Sequence, residues 1–308
     1  MTGADGFVGT WLVRRLLRDG HEVVGGVGGS ASRLTPAEQA AVQWLPLELT
    51  DPDSVRAVVG KGYQAVVHLA AVASGGDAAR DPGMAWVVNA AGTARLVQAL
   101  LGAKEREGTD PLVLVVSTGE VYGRAQGPRR ETDPVAPCSP YAASKVGAEA
   151  AAFEAWRRAG LRVVVARAFP HTGPGQDTRF VVPAFVERLR LAKQTGAPAV
   201  KVGNLAPVRE FLHVDDVVDA YVRLLGHGTP GEVYNVASGE GMALGAIFER
   251  LSALVGVHAV PEIDARLVRP ADIPCLVGDA TKLRSAVGWV PRHSLEETLK
   301  DVVDAQAD

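Results

Sequence analysis

Four short Val/Leu-rich runs, His21–Gly25, Ala65–Leu69, Leu112–Ser117 and Val163–Ala166, alternate with helical patterns over Val8–Asp19, Ser54–Val59, Met84–Leu101 and Pro140–Gly160. Each run is nearly all apolar, so each strand needs cover on both faces, and intervening helices supply it by crossing from one parallel strand to the next. This alternation predicts an α/β class with a doubly wound parallel sheet over residues 1–170. From about Pro170 the regularity fades, with Gly/Pro punctuation at Thr172–Gly175, Gly226–Gly231 and Arg269–Pro274. Residues 171–308 are therefore expected to form a smaller mixed α/β cap that binds substrate, with 209–225 returning to the first domain.

At 308 residues the chain has room for about two domains. It is 47% hydrophobic and 22% charged, which excludes disordered and fibrous classes. A formal net charge of −3 leaves no basic footprint for nucleic acid. The two cysteines, Cys138 and Cys275, make no disulfide framework, so a reducing cytoplasm is expected. Apolar runs stay short of 18 residues and no leader precedes the first helix, so neither a membrane span nor a signal peptide is expected.

The chain opens on Thr2-Gly3-Ala4-Asp5-Gly6-Phe7-Val8-Gly9, glycines spaced G-x-x-G-x-x-G and running directly into a helix. Gly3 suits a tight turn, Gly6 the close approach of backbone to a pyrophosphate, and Gly9 close packing of the helix against a strand. Free N–H groups at the helix start add positive dipole. The spacing predicts the phosphate loop of a Rossmann-type dinucleotide site, the alternative for the glycines alone being an ordinary Gly-rich turn. Such a motif follows a strand, yet here it begins at the third residue. Either the true start lies upstream, or the protein does without that strand and leaves neighbouring backbone groups unpaired. About 20 residues on, where an Asp or Glu would grip the ribose of NAD, the chain reads Gly25-Gly26-Val27-Gly28-Gly29-Ser30-Ala31-Ser32-Arg33. Ser30, Ser32 and Arg33 suit a 2′-phosphate, which favours NADP(H). The alternative is a loop that does not select, so the cofactor is NADP(H) or NAD(H), with no metal.

Tyr141-Ala142-Ala143-Ser144-Lys145 sets a tyrosine and a lysine one helical turn apart on the same face. A free phenol titrates near 10, and a neighbouring ammonium favours its ionised form and brings it toward the working range. Upstream, the Leu112–Ser117 run leads into Thr118-Gly119-Glu120, at the carboxyl end of a parallel strand where ligands bind. Thr118 is positioned to bond the same substrate oxygen as Tyr141. Glu120 stands at that edge as a base, as an acceptor for a substrate hydroxyl, or as a solvated carboxylate.

T-G-x-x-G-F-x-G, His68-Leu69-Ala70-Ala71, Asn89-x-x-Gly92-Thr93, Thr118 and Y-x-x-x-K occur in the order of the extended short-chain dehydrogenase/reductase family, which the whole chain resembles apart from the missing strand. That family acts mainly on nucleotide-activated sugars. The resemblance implies that Asp51 approaches the adenine, that Leu69, Ala70 and Ala71 line the cofactor beside Gly3, Gly6, Phe7, Val8 and Gly9, and that Lys145 also holds the nicotinamide ribose. In the cap, Phe169–Gln176, Lys201–Leu205, Val208–Phe211 and Arg269–Pro274 look like GDP-6-deoxy-4-keto-mannose reductases and their GDP-mannose dehydratase relatives. By that likeness His171, Asn204, Arg209 and Arg269 contact substrate, the arginines offering a fork suited to phosphate oxygens. Pro170 departs from the family, which usually has Asn there.

The implied activity is reduction of the C4 ketone of a GDP-6-deoxy-4-keto-hexose, with the mannose-configured substrate giving GDP-D-rhamnose. Glu120 keeps a dehydratase reading open, an epimerase needs only the same Tyr–Lys core, and a cofactor sensor without catalysis would be expected to have lost one of the two. The resemblance also implies a homodimer through Met84–Leu101 and Pro140–Gly160. Val87, Leu96, Val97 and Leu100 either face the partner or bury against their own sheet.

Overall fold

The computed structural model describes residues 1–29, 33–60, 62–124, 127–268 and 273–305. Ser30, Ser32, Arg269 and the Arg269–Asp272 part of the cap motif fall outside the described residues. Within them the elements that build the sheet are helix α1 (Phe7–Arg18), strands β1 (Val23–Val27), β2 (Val42–Pro46) and β3 (Ala65–His68), helix α2 (Gly92–Glu107), strand β4 (Leu112–Thr118), helix α3 (Pro140–Ala159), strand β5 (Val163–Ala168), helix α4 (Val214–His227) and strand β6 (Val233–Val236). β1 pairs with β2, and β6, β5, β4 and β3 pair in that order, every pairing parallel.

Met1 and Thr2 join the two groups of strands. The Gly26 amide donates to the Met1 carbonyl at 2.7 Å, the Thr2 amide to Val67 O at 2.9 Å, and the Leu69 amide to Thr2 O at 3.3 Å. The residues just before the glycine loop thus lie between β1 and β3, where a central strand of this fold runs. The order becomes β2–β1–(Thr2)–β3–β4–β5–β6, with its reversal at the glycine loop, the place where such sheets bind ligands.

Strand β4 shows why its sequence has no polar face. Leu112 and Leu114 pack with Leu12 of α1 and Val217 and Tyr221 of α4, while Val113 and Val115 pack on the other face with Leu96 and Leu100 of α2 and Ala152 of α3. Helix α4, from the second half of the chain, therefore covers the sheet. A separate core joins Val182, Phe185, Val186 and Leu189 of the Val181–Thr195 helix to Ile247, Phe248 and Leu251 of Leu244–Val255 and to Leu299 and Val302 of Leu295–Ala305. No helix among the described residues is long and apolar enough to cross a membrane.

The expected helix Met84–Leu101 is not continuous. A short helix, Pro82–Ala85, passes into a π-helical turn over Trp86–Ala91 before α2 begins. Inside that turn the Asn89 side chain reaches back to accept from the Val72 amide at 2.8 Å and to donate to Ser144 Oγ at 2.9 Å, while the Thr93 hydroxyl takes the Asn89 carbonyl. Sequence periodicity misses such a turn because one inserted residue is compensated by side-chain bonds. Leu96, Val97 and Leu100 are buried against their own sheet, and only Val87 of the four apolar positions, at 39% exposure, remains at the surface.

Candidate active site

The glycine loop is built around close approaches. Gly3 has φ +66°, and a Cβ there would lie 2.8 Å from Ala70 N; a Cβ on Gly9 would lie 2.1 Å from Gly3 O and 2.9 Å from Ala4. Gly9 thus accommodates the loop's own backbone rather than a strand. Helix α1 starts at Phe7 with Gly6 as its N-cap and no side-chain cap. The Phe7, Val8 and Gly9 amides therefore start the helix without an internal side-chain partner, as a phosphate cradle requires. These residues fit a dinucleotide pyrophosphate. Leu69, Ala70 and Ala71 follow β3 and lie against the loop, the Ala70 amide donating to Thr2 Oγ1 at 3.1 Å. Gly28 and Gly29, beyond β1, face open space, and no carboxylate stands in this stretch. Arg33 lies beside Gly175 of the cap, its charge lowering Asp177, whose strongest stabilisation is the Arg179 amide. Asp51 caps the Pro52–Val59 helix, accepting from the Asp53 amide at 2.9 Å.

Ser139 caps α3 from the Ala142 amide at 3.1 Å, and Pro140 at the first position pre-sets the helix, which puts Tyr141 in the first turn, at the positive end of the dipole. Lys145 is one turn on, 5% exposed, its Nζ donating to Val116 O of β4 at 2.7 Å. Thr118 ends β4, caps the Gly119–Tyr122 turn by accepting from the Glu120 amide at 3.2 Å, and hydrogen-bonds the Tyr141 phenol. Glu120 completes the group: its Oε2 accepts from Ser139 Oγ at 3.5 Å. Thr118, Glu120, Tyr141 and Lys145 are therefore brought together, from the end of β4 and the start of α3.

The electrostatics reverse one expectation. Burial, with the Glu120 charge added, raises Tyr141 above the ordinary phenol range, against the lowering effect of the Thr118 bond. In the resting site the Lys145 ammonium, bonded to the Val116 carbonyl at 2.7 Å, does not offset that rise. Burial in turn lowers Lys145 to about 8, with the Glu149 carboxylate opposing the fall. In this state the site holds a protonated phenol beside a lysine that is still mostly charged at neutral pH.

A buried hydrogen-bonded chain that the sequence reading did not assemble links the two halves of the site. Thr2 Oγ1 meets His68 Nδ1 at 2.8 Å, His68 Nε2 meets Thr93 Oγ1 at 3.0 Å, Thr93 bonds the Asn89 carbonyl, and Asn89 reaches Ser144, whose hydroxyl donates to Tyr141 O at 2.8 Å. Burial drives His68 down to about 3, with the Lys145 charge and the chain-terminal amine adding to the fall, so its ring is neutral. The motif residues His68, Asn89 and Thr93 stood in the sequence as the signal, but only their spatial convergence shows a single chain.

Of the candidate substrate residues, His171 stacks on Phe7, rings parallel and centroids 6.3 Å apart, with Nδ1 2.9 Å from Phe169 O. It joins the cofactor loop to the cap. Arg209 is half-buried and its Nη1 donates to Val208 O at 2.8 Å and Ile273 O at 2.6 Å, which ties it to the segment just after Arg269. Asn204 is exposed and accepts from the Ala206 amide at 3.1 Å, shaping its own turn. Next to Arg209, Glu210 is fully buried and takes Ser238 Oγ, Gly239 N and Gly278 N; burial pushes its carboxyl up to about 7 against those three donors. Pro170, which has no N–H to offer, uses its carbonyl to accept from Leu212 N at 3.0 Å. No three His, Cys, Asp or Glu side chains among the described residues converge as a metal site.

Residues 1–302 match the sequence profile of the family described as GDP-mannose 4,6 dehydratase. The chain is 34% identical over 260 residues, 83% of its length and 84% of the relative's, to a GDP-6-deoxy-D-mannose reductase of Pseudomonas aeruginosa. The structure of RMD from Pseudomonas aeruginosa complexed with NADPH superposes with a TM-score of 0.82 at 32% identity, covering 98% of this chain and 96% of that one. A UDP-glucose 4-epimerase from Thermotoga maritima with UDP-glucose gives a TM-score of 0.89 at 28% identity, covering 99% and 97%. The chain therefore belongs to the GDP-mannose 4,6-dehydratase family, within the extended short-chain dehydrogenases/reductases.

Proposed function

We propose that this chain is an NAD(P)H-dependent nucleotide-sugar reductase that converts the C4 ketone of GDP-4-keto-6-deoxy-D-mannose to the alcohol, giving GDP-D-rhamnose. The observation that carries the reading is the placement of a hydroxyl pair, Thr118 at the end of β4 and Tyr141 in the first turn of α3, with the Lys145 amine one turn on. Reduction of a ketone demands a proton donor at its oxygen, and the Tyr141 hydroxyl beside Thr118 supplies one. A reduced nicotinamide held by the glycine loop would supply the hydride. Thr118 and Tyr141 hold the ketone oxygen, Tyr141 protonates it as negative charge develops, and the Lys145 ammonium stabilises the phenolate left behind. His171 and Arg209 orient the nucleotide sugar, and Arg269 would join them. The similarity to a GDP-6-deoxy-D-mannose reductase supports the GDP-sugar assignment.

The second reading is a GDP-mannose 4,6-dehydratase, favoured by Glu120 standing within reach of Tyr141 and Ser139. Mixing the protein with GDP-4-keto-6-deoxy-D-mannose and reduced nicotinamide separates the two. Stoichiometric loss of reduced-nicotinamide absorbance is expected; no consumption, together with formation of a 4-keto sugar from GDP-mannose, would replace the reductase by the dehydratase. With no acid after β1 and Arg33 nearby, NADPH is expected to outperform NADH by at least about tenfold, the worth of one charge-assisted hydrogen bond.

Assembly as a homodimer is part of the same proposal. Met84 and Trp86 are each 47% exposed beside Val87, and Trp86 lies across Gly147 of α3, so an apolar patch spans both helices. Sedimentation is expected to give a dimer that Trp86→Glu splits; a parent chain that sediments as a monomer would remove this part of the proposal.

A further inference from the structure

Behind the candidate catalytic groups lies a buried charge cluster that the mechanism above does not use. Tyr141, Lys145 and Glu149 follow one another at intervals of four along the face of α3 turned to the sheet. Glu149 is gripped by Arg167 of β5, Nε to Oε1 at 3.0 Å and Nη2 to Oε2 at 2.7 Å, and Ser117 of β4 donates to Oε1 at 2.5 Å. Arg167 also donates to Tyr122 Oη at 2.9 Å, with its guanidinium 4.8 Å from the centre of that ring, and Tyr122 donates to Asn235 Oδ1 at 2.7 Å. Both side chains of the ion pair are 6% exposed. A well-packed apolar pair would hold the core at least as well as a buried ion pair, so fold stability alone is a weak reason for these charges.

Their position gives a better one. We propose that Glu149, fixed by Arg167 and Ser117, is a positioning residue that keeps the Lys145 ammonium charged one helical turn from Tyr141. Because both Glu149 oxygens are engaged, the carboxylate acts through space and does not collapse onto Nζ. The lysine keeps its bond to Val116 O and its remaining hydrogens stay available.

The other groups facing Lys145 do not replace this charge. His68 from β3 is neutral, Tyr141 on the same helix is protonated, Glu120 acts on Tyr141 and bonds Ser139, and Arg167 is paired with Glu149. Burial lowers Lys145 and the Glu149 charge raises it. With that charge removed, the ammonium loses its proton at a lower pH, and any step that needs it fails earlier on the alkaline side.

The inference rests on the Tyr141–Lys145 reading of the site, so the experiment measures the lysine itself as well as turnover. The chain has seven lysines, which permits [ε-13C]lysine NMR of the full protein, with Lys145→Arg to assign the resonance. In Glu149→Gln the Lys145 midpoint is expected to fall by about one pH unit. The alkaline limb of kcat is expected to follow it, with KM for the nucleotide sugar little changed. The double variant Glu149→Gln/Arg167→Met leaves no charge unpaired and guards against misfolding of the single one; its midpoint is expected to move in the same direction. An unmoved Lys145 midpoint in a folded variant overturns the inference. A midpoint that falls while the kcat profile stays put upholds the electrostatic role of Glu149 and overturns the catalytic role of Lys145 instead.

Discussion

Tyr141→Phe is expected to lower kcat for the ketone about 10³-fold, the usual contribution of a positioned proton donor, while NADPH affinity changes less than about twofold. The phenol hydrogen-bonds Thr118 and sits in the first turn of α3, whereas the cofactor cradle proposed above would be assembled from Gly3–Gly9 and Leu69–Ala71 on other elements. Removing one hydroxyl therefore takes away the proton and leaves the cradle. Rapid-quench turnover and a fluorescence titration with NADPH test both halves. A variant with near-normal kcat would sink Tyr141 as donor, and one that no longer binds NADPH would show that the phenol holds the cofactor. The pH profile carries a sign. With the phenol raised and Lys145 near 8, turnover in the reducing direction should hold through neutrality and decline as pH rises through the lysine.

Gly9→Ala is expected to be severely damaging to the glycine loop. Its Cβ would stand 2.1 Å from the Gly3 carbonyl, which already accepts from the Gly6 amide at 3.1 Å, while the Gly3 amide is bonded to Gly26 O at 3.0 Å. Neither side of the contact is the end of a flexible side chain, so the loop must unseat. A loss of about 3 kcal/mol is expected, at the upper end for overpacking, with NADPH binding weakened more than about 100-fold. Gly28→Ala is the control: its Cβ meets nothing within 4 Å, and the melting temperature should hold. If Gly9→Ala melts and binds like the parent, the close-packed loop described above is wrong.

The fold was legible because it rests on features local to the chain. Apolar runs with no polar face, spaced by helical patterns, specify a strand covered twice, and each of the four expected strands formed within two residues at either end. Strands β2 and β6 escaped notice. β2 is half exposed, with the burial of an edge, and β6 follows a stretch whose Gly/Pro punctuation suggested loops. Thr118, Glu120, Tyr141 and Lys145 were recognisable from spacing and strand ends. Glu149 and Arg167 were not, although both left signals: an acid one turn beyond Lys145, and an arginine inside the otherwise apolar strand β5.

What the sequence by itself determined is the alternation of four strands with covering helices, the glycine loop and the candidate group Thr118, Glu120, Tyr141 and Lys145. Those depend on periodicity, on glycine geometry and on residues one turn apart, all short-range properties. Only the tertiary structure decided the charge each of these groups carries. Tyr141 is raised because the core buries it and a carboxylate from the end of β4 adds its charge, and Lys145 is bonded to a carbonyl 29 residues away. Protonation depends on what lies within a few ångströms in space, and that neighbourhood is assembled from three strands and a helix that the chain brings together only on folding.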